Sequence, residues 1–150
     1  MDKDTRREKA VSIYQDKFHC SQAVLAVYAE ELGITEKQAL MLGGCFGSGM
    51  KKGEVCGACT GALMVLGLLY GQYEKGDTES KLHAYAVAEQ FLDRFAEKNG
   101  SYRCNDLLGI DIRTEEGVAR ARSLNLFTEF CPRMVADAVD ILEQIIQEQE

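Results

Sequence analysis

Val55-Cys56-Gly57-Ala58-Cys59-Thr60-Gly61-Ala62-Leu63-Met64-Val65-Leu66-Gly67-Leu68-Leu69-Tyr70-Gly71-Gln72-Tyr73 is a run of 19 residues without a charge. Its length approaches that of a membrane-spanning helix. Its composition does not suit a span: four glycines, two cysteines, Thr60 and Gln72 interrupt the apolar surface. The better reading is a buried, central helix from about Glu54 to Tyr70. Gly57 and Gly61 are four apart, and their missing side chains would let another backbone approach closely.

Helical periodicity extends outward from this segment in both directions. Ala10, Ile13, Tyr14 and Phe18 form one stripe, and Cys20, Ala23, Val24, Val27 and Tyr28 form a second that ends by Gly33. Thr35 with Gln38 makes a capping box for a short third helix. Residues 43–53 hold five glycines and read as a loop shaping access to whatever lies beside Cys56. The loop lacks the Gly-Lys-Ser/Thr ending of a phosphate-binding loop. Beyond the central segment, Asp77 caps a helix whose Leu82, Tyr85, Ala86, Leu92 and Phe95 are expected to share a face. A short helix follows Cys104 and ends at Gly109. Thr114 caps another, and Pro132 opens the last, with Met134, Val135, Ala138, Leu142 and Ile145 as its stripe. The expected architecture is all-α: one compact domain over residues 1–150, with about six or seven helices around the central Gly/Cys-rich buried helix.

The chain has 150 residues, of which 46% are hydrophobic and 27% charged, as in a folded globular protein. Its net charge of −7 argues against a nucleic-acid or anionic-membrane partner. No apolar leader follows the charged N-terminal residues, so a cytoplasmic location is expected. Thiols are kept reduced there, which favours metal-binding, catalytic or buried roles for the six cysteines over structural disulfides.

Four of the six are placed alike. Cys20, Cys56, Cys104 and Cys131 each fall at an expected helix start. There the free N–H groups and the helix dipole favour a thiolate over a thiol. Lys51 and Lys52 precede Cys56 and would act in the same sense. Cys56-Gly-Ala-Cys59 is a C-x-x-C whose sulfurs share a helix face. The strands of a thioredoxin-like unit are missing around it. So is the histidine that all-helical alkylhydroperoxidase-like proteins carry four residues later, where this chain has Leu63. With no second C-x-x-C, an ordinary zinc ribbon is not indicated.

Cys56-Gly57-Ala58-Cys59-Thr60-Gly61 and the residues that follow resemble the core of the C_GCAxxG_C_C family of redox-active proteins. The resemblance runs from about residue 10 to 145. It takes in Cys20 within His19-Cys20-Ser21-Gln22, Cys104 before Asn105-Asp106-Leu107-Leu108-Gly109, Cys131 before Pro132, and the Gly-Gly-Cys-Phe-Gly-Ser-Gly-Met loop. It implies a small cytoplasmic protein with Cys20, Cys56, Cys104 and Cys131 as its pattern cysteines. A related domain occurs in split-Soret cytochromes, for which an iron–sulfur centre has been proposed. The present chain has no C-x-x-C-H for haem attachment. Cys45 and Cys59 stand outside the four-cysteine pattern.

Three functional expectations follow. In the first, Cys20, Cys56, Cys104 and Cys131 converge to bind an iron–sulfur cluster, [2Fe–2S], or zinc as its non-redox counterpart, and pass electrons to a protein partner. In the second, no metal is bound. Cys56 is the nucleophile of a thiol–disulfide oxidoreductase or redox sensor, resolved by Cys59 or another pattern cysteine. In the third, the cysteines are structural, and Ile141, Leu142, Ile145 and Ile146 on the last helix make a homodimer. His19 is an alternative ligand or proton partner beside Cys20. Tyr70, Tyr73 and Tyr85 are expected as core or rim aromatics.

Overall fold

The computed structural model describes residues 1–150 and is helical throughout, with no strand. Eight α-helices run in the order α1 (Lys3–Gln15), α2 (Cys20–Tyr28), α3 (Glu36–Leu42), α4 (Gly57–Tyr70), α5 (Thr78–Asn99), α6 (Cys104–Leu108), α7 (Glu115–Ser123) and α8 (Cys131–Glu148). A single 3-10 turn covers Glu30–Leu32, and one-turn π segments cover Gly49–Gly53 and Leu126–Phe130. The helix count therefore exceeds the expected six or seven.

The local signals explain most boundaries. Thr35 accepts from the Gln38 amide at 3.0 Å while Gln38 Oε1 accepts from the Thr35 amide at 2.9 Å, closing the capping box on α3. Asp77 accepts from the Ser80 amide and Thr114 from the Gly117 amide, capping α5 and α7. Gly109 ends α6 in the left-handed conformation, and Pro132 lies in the first turn of α8.

One main core of 26 buried residues draws on α1, α2, α3, α4, α5 and α8. Helix α4 packs on α2, α5 and α8, and α1 packs on α2 and α8. Helices α4 and α2 approach each other closely. A Cβ on Gly61 would stand 2.8 Å from the Ser21 carbonyl oxygen, and one on Gly57 would stand 3.2 Å from Cys20 Cβ. These two glycines therefore bring the two helices together where Cys20 and Cys56 begin them. A second cluster of Leu108, Ile112 and Ala121 lies under the α6–α7 region, with Cys104, Phe127 and Cys131 packed against it.

Several expectations are corrected. Helix α4 begins at Gly57, with Cys56 as its N-cap, and its last turn is not buried: Gly67, Leu68 and Leu69 are exposed. On α5 the core takes Val87, Phe91 and Phe95, whereas Leu82, Tyr85 and Ala86 face solvent. Of the tyrosines expected at the core or its rim, Tyr70 packs against the core, whereas Tyr73, 91% exposed, and Tyr85 pack on neither cluster. Phe18 lies past the end of α1 and is exposed. Ile141, Leu142 and Ile145 are buried within this chain's own core, so the last helix does not offer them as a dimer seam.

One buried charge has no signal in the sequence. Arg6 is 4% exposed, bonds both Glu31 oxygens and Glu143 Oε1 at 2.8 Å, donates to the Val27 carbonyl at 3.0 Å, and lies 4.3 Å over the Tyr28 ring. Its donors are shared among three acceptor groups, as a buried guanidinium requires. No helix is long and apolar enough to cross a membrane.

Candidate functional site: a four-cysteine cleft

The backbone brings Cys56 and Cys104 together across 48 positions of sequence (56 and 104). Val55 and Arg103 form an isolated antiparallel bridge. The Cys56 amide donates to the Tyr102 carbonyl at 2.8 Å, and the Cys104 amide donates to the Glu54 carbonyl at 2.6 Å. The Gly57–Gly61 face brings Cys20 against the same point from α2. The fourth cysteine, Cys131, opens α8 beside Tyr14 of α1. Tyr14 gives its hydroxyl proton to the Phe127 carbonyl at 2.6 Å, which ties α1 to the turn before Cys131.

All four pattern cysteines line one cleft of about 880 Å³. Each stands at a helix start, as expected: Cys56 is an N-cap, and Cys20, Cys104 and Cys131 are first residues of their helices. Cys131 differs in one respect. The π turn Leu126–Phe130 runs straight into α8, so its helix end is not open. Cys59 is fully buried behind Cys56, and Cys45 is exposed and away from the cleft.

The sulfurs are unequal. Cys20 lies between Cys131 and Cys56 and keeps its proton, first through hydrogen bonding to those two sulfurs, then through burial and their negative charge. Cys56 is held well below the ordinary thiol range, first by the Cys20 thiol, then by Cys59, with the Ala58 and Cys59 amides of α4 adding to it against burial. Cys131 is also lowered, again chiefly by Cys20. Burial and the Cys56 charge push Cys59 up. Cys104 is pushed up to about 12 by burial, then by the negative charge of Cys56 and Cys131. Lys51 reaches the cleft as expected, but the largest influences on Cys56 come from sulfurs and amides.

This ordering predicts a reactivity series. Between pH 6 and 8 in ~1 mM iodoacetamide, Cys104 is expected to be modified far more slowly than Cys56, because it stays protonated below its raised pKa of about 12. Raising the pH should accelerate Cys104 more steeply than Cys56. Peptide mass mapping at timed quenches reads both, and equal rates at the two sites would contradict the ordering.

No three His, Cys, Asp or Glu side chains stand close enough together to hold a metal ion. A single zinc ion is therefore not fitted by the thiols as they are placed. His19 lies on the cleft rim as the N-cap of α2, its amide donating to Gln22 Oε1 at 2.8 Å. Tyr14, Lys17 and Arg122 also line the cleft and were not singled out by the sequence as site residues. The sequence offers Tyr14 only as part of an apolar stripe.

Fold and cleft together define an all-helical protein with thiol groups gathered at one solvent-reachable point. The family model described as "Putative redox-active protein (C_GCAxxG_C_C)" matches residues 18–145, and the chain belongs to that family. No curated protein and no solved structure matches it.

Proposed function

We propose that this chain is a two-electron thiol–disulfide redox protein in which Cys56 is the nucleophile and Cys20 the partner sulfur. One observation carries the reading: Cys20 and Cys56, 36 positions apart (20 and 56), are neighbours at the lining of one cleft. A nucleophile must be a thiolate, and a resolving cysteine must be close and able to release a proton. Cys56 meets the first condition, and Cys20 meets the second once the mixed disulfide has removed the Cys56 charge that holds its proton. Cys131 and Cys104 complete the lining, and Cys59 supports Cys56 from behind.

The test is disulfide mapping. Fully reduced protein is treated with one equivalent of 2-hydroxyethyl disulfide, quenched in acid and digested. A Cys20–Cys56 bridge is the expected product. A Cys56–Cys59 bridge would overturn the assignment of Cys20, and no bridge at Cys56 would overturn the reading. The number of cysteines at the cleft favours a second reading, because a dithiol needs two and an iron–sulfur cluster needs four thiolates. Cys20, Cys56, Cys104 and Cys131 would hold such a cluster, and it would supply one-electron transfer. Anaerobic purification separates the two: stoichiometric iron with sulfide and a visible absorption band would replace the dithiol reading.

A further inference from the structure

The charge lining the cleft is unlike the charge of the chain. Asp and Glu outnumber Lys and Arg by 24 to 17, yet no carboxylate lines the cleft, while Lys17, Lys51 and Arg122 do. None of these three cations is in an ion pair, although Arg6, Arg7, Arg94, Arg103 and Arg113 all are. They come from three separate segments: the end of α1, the π turn before α4, and α7. Both lysines sit in left-handed backbone, with φ 73° at Lys17 and φ 64° at Lys51, and Ser48 beside them has φ 55°. Non-glycine residues rarely adopt that conformation, and three of the five that do here line this cleft.

Three unpaired cations around a thiolate cleft attract anions and repel cations. Resting on the thiol–disulfide reading above, we infer that the cleft takes a small disulfide bearing carboxylates, whose charges Lys17, Lys51 and Arg122 hold while Cys56 attacks one sulfur. The reaction balances without another reagent. The Cys56 thiolate bonds to one sulfur of the disulfide, its S–S bond breaks, and the first small thiolate leaves. Cys20 then gives up its proton and bonds to Cys56 Sγ. The mixed S–S bond breaks, and the second small thiolate leaves and takes that proton. The protein dithiol is oxidised by two electrons and the small disulfide is reduced to two thiol equivalents.

The test uses the full chain, reduced and anaerobic, with three simple disulfides: anionic 3,3′-dithiodipropionate, neutral 2-hydroxyethyl disulfide and cationic cystamine. Each rate is divided by that of a small free thiol of matched pH, which removes intrinsic differences between the disulfides. The anionic compound is expected to react about tenfold faster than the neutral one, with cystamine slowest, and added salt should erase the gap. Lys17→Gln, Lys51→Gln and Arg122→Gln combined should bring the ratio of anionic to neutral rate down to about one, with an unchanged far-UV circular dichroism spectrum reporting that the variant is folded. Equal corrected rates for all three compounds would overturn the charge selection and leave the thiol–disulfide reading standing. No reaction with any of them would overturn both.

Discussion

Replacing Cys56 with serine is expected to lower the rate of disulfide reduction by more than about 30-fold at pH 7. An unperturbed thiol is only about 3% thiolate at that pH. Cys56 is held well below the ordinary range by the Cys20 thiol, then by Cys59, and the Ala58 and Cys59 amides of the α4 start add to this. Cys131 is also lowered, but it shares the Cys20 thiol and opens a helix whose end is closed by the preceding turn. Cys20→Ser should behave differently. The attack on substrate persists, a mixed disulfide accumulates at Cys56, and intact mass shows one added half-molecule. If Cys56→Ser keeps the wild-type rate, the nucleophile lies elsewhere.

The second large effect concerns packing. Gly61→Leu is expected to destabilise the fold by about 3 kcal/mol or more, near the upper end of ordinary overpacking costs. That corresponds to a fall in Tm of about 6–12 °C for a chain of this size. Even the first atom of the new side chain meets the Ser21 carbonyl oxygen at 2.8 Å, and backbone on a packed helix cannot rotate aside. Gly67→Ala is the matched control on the same helix. Nothing lies within 4 Å of its added methyl, so helix propensity should stabilise the protein by about 0.5–1 kcal/mol. Thermal unfolding of the pair reads both signs. A neutral Gly61→Leu would mean that α2 and α4 are not held at this distance. The same variant should part Cys20 from Cys56 and so raise the pH at which Cys56 is alkylated.

The sequence made the helix starts legible because capping chemistry is local. Thr35 with Gln38, Asp77, Thr114 and Pro132 each act within a turn of their own position. It also marked the four cysteines, since each falls at such a start, and the Gly57–Gly61 spacing anticipated a close backbone approach. The buried face of α5 was not legible. A 22-residue helix carries more than one apolar alignment, and tertiary packing selected Val87, Phe91 and Phe95 over Leu82 and Tyr85. The cationic rim was hidden for a similar reason. Lys17, Lys51 and Arg122 are unremarkable in sequence, and only the fold collects them. The end of α1 was obscured because Lys17 takes the left-handed position where a glycine would normally announce a stop.

That last choice has a consequence for how such a chain changes over time. A left-handed lysine costs about 1–2 kcal/mol in backbone sterics, and this protein accepts it at both Lys17 and Lys51. Glycine would fit either position with less strain. Substitution to glycine would then give a sturdier molecule with a charge-poor entrance. Selection for durability alone would drift toward glycine at both sites, so relatives that retain lysine there would mark lineages in which the charge of the entrance is under selection.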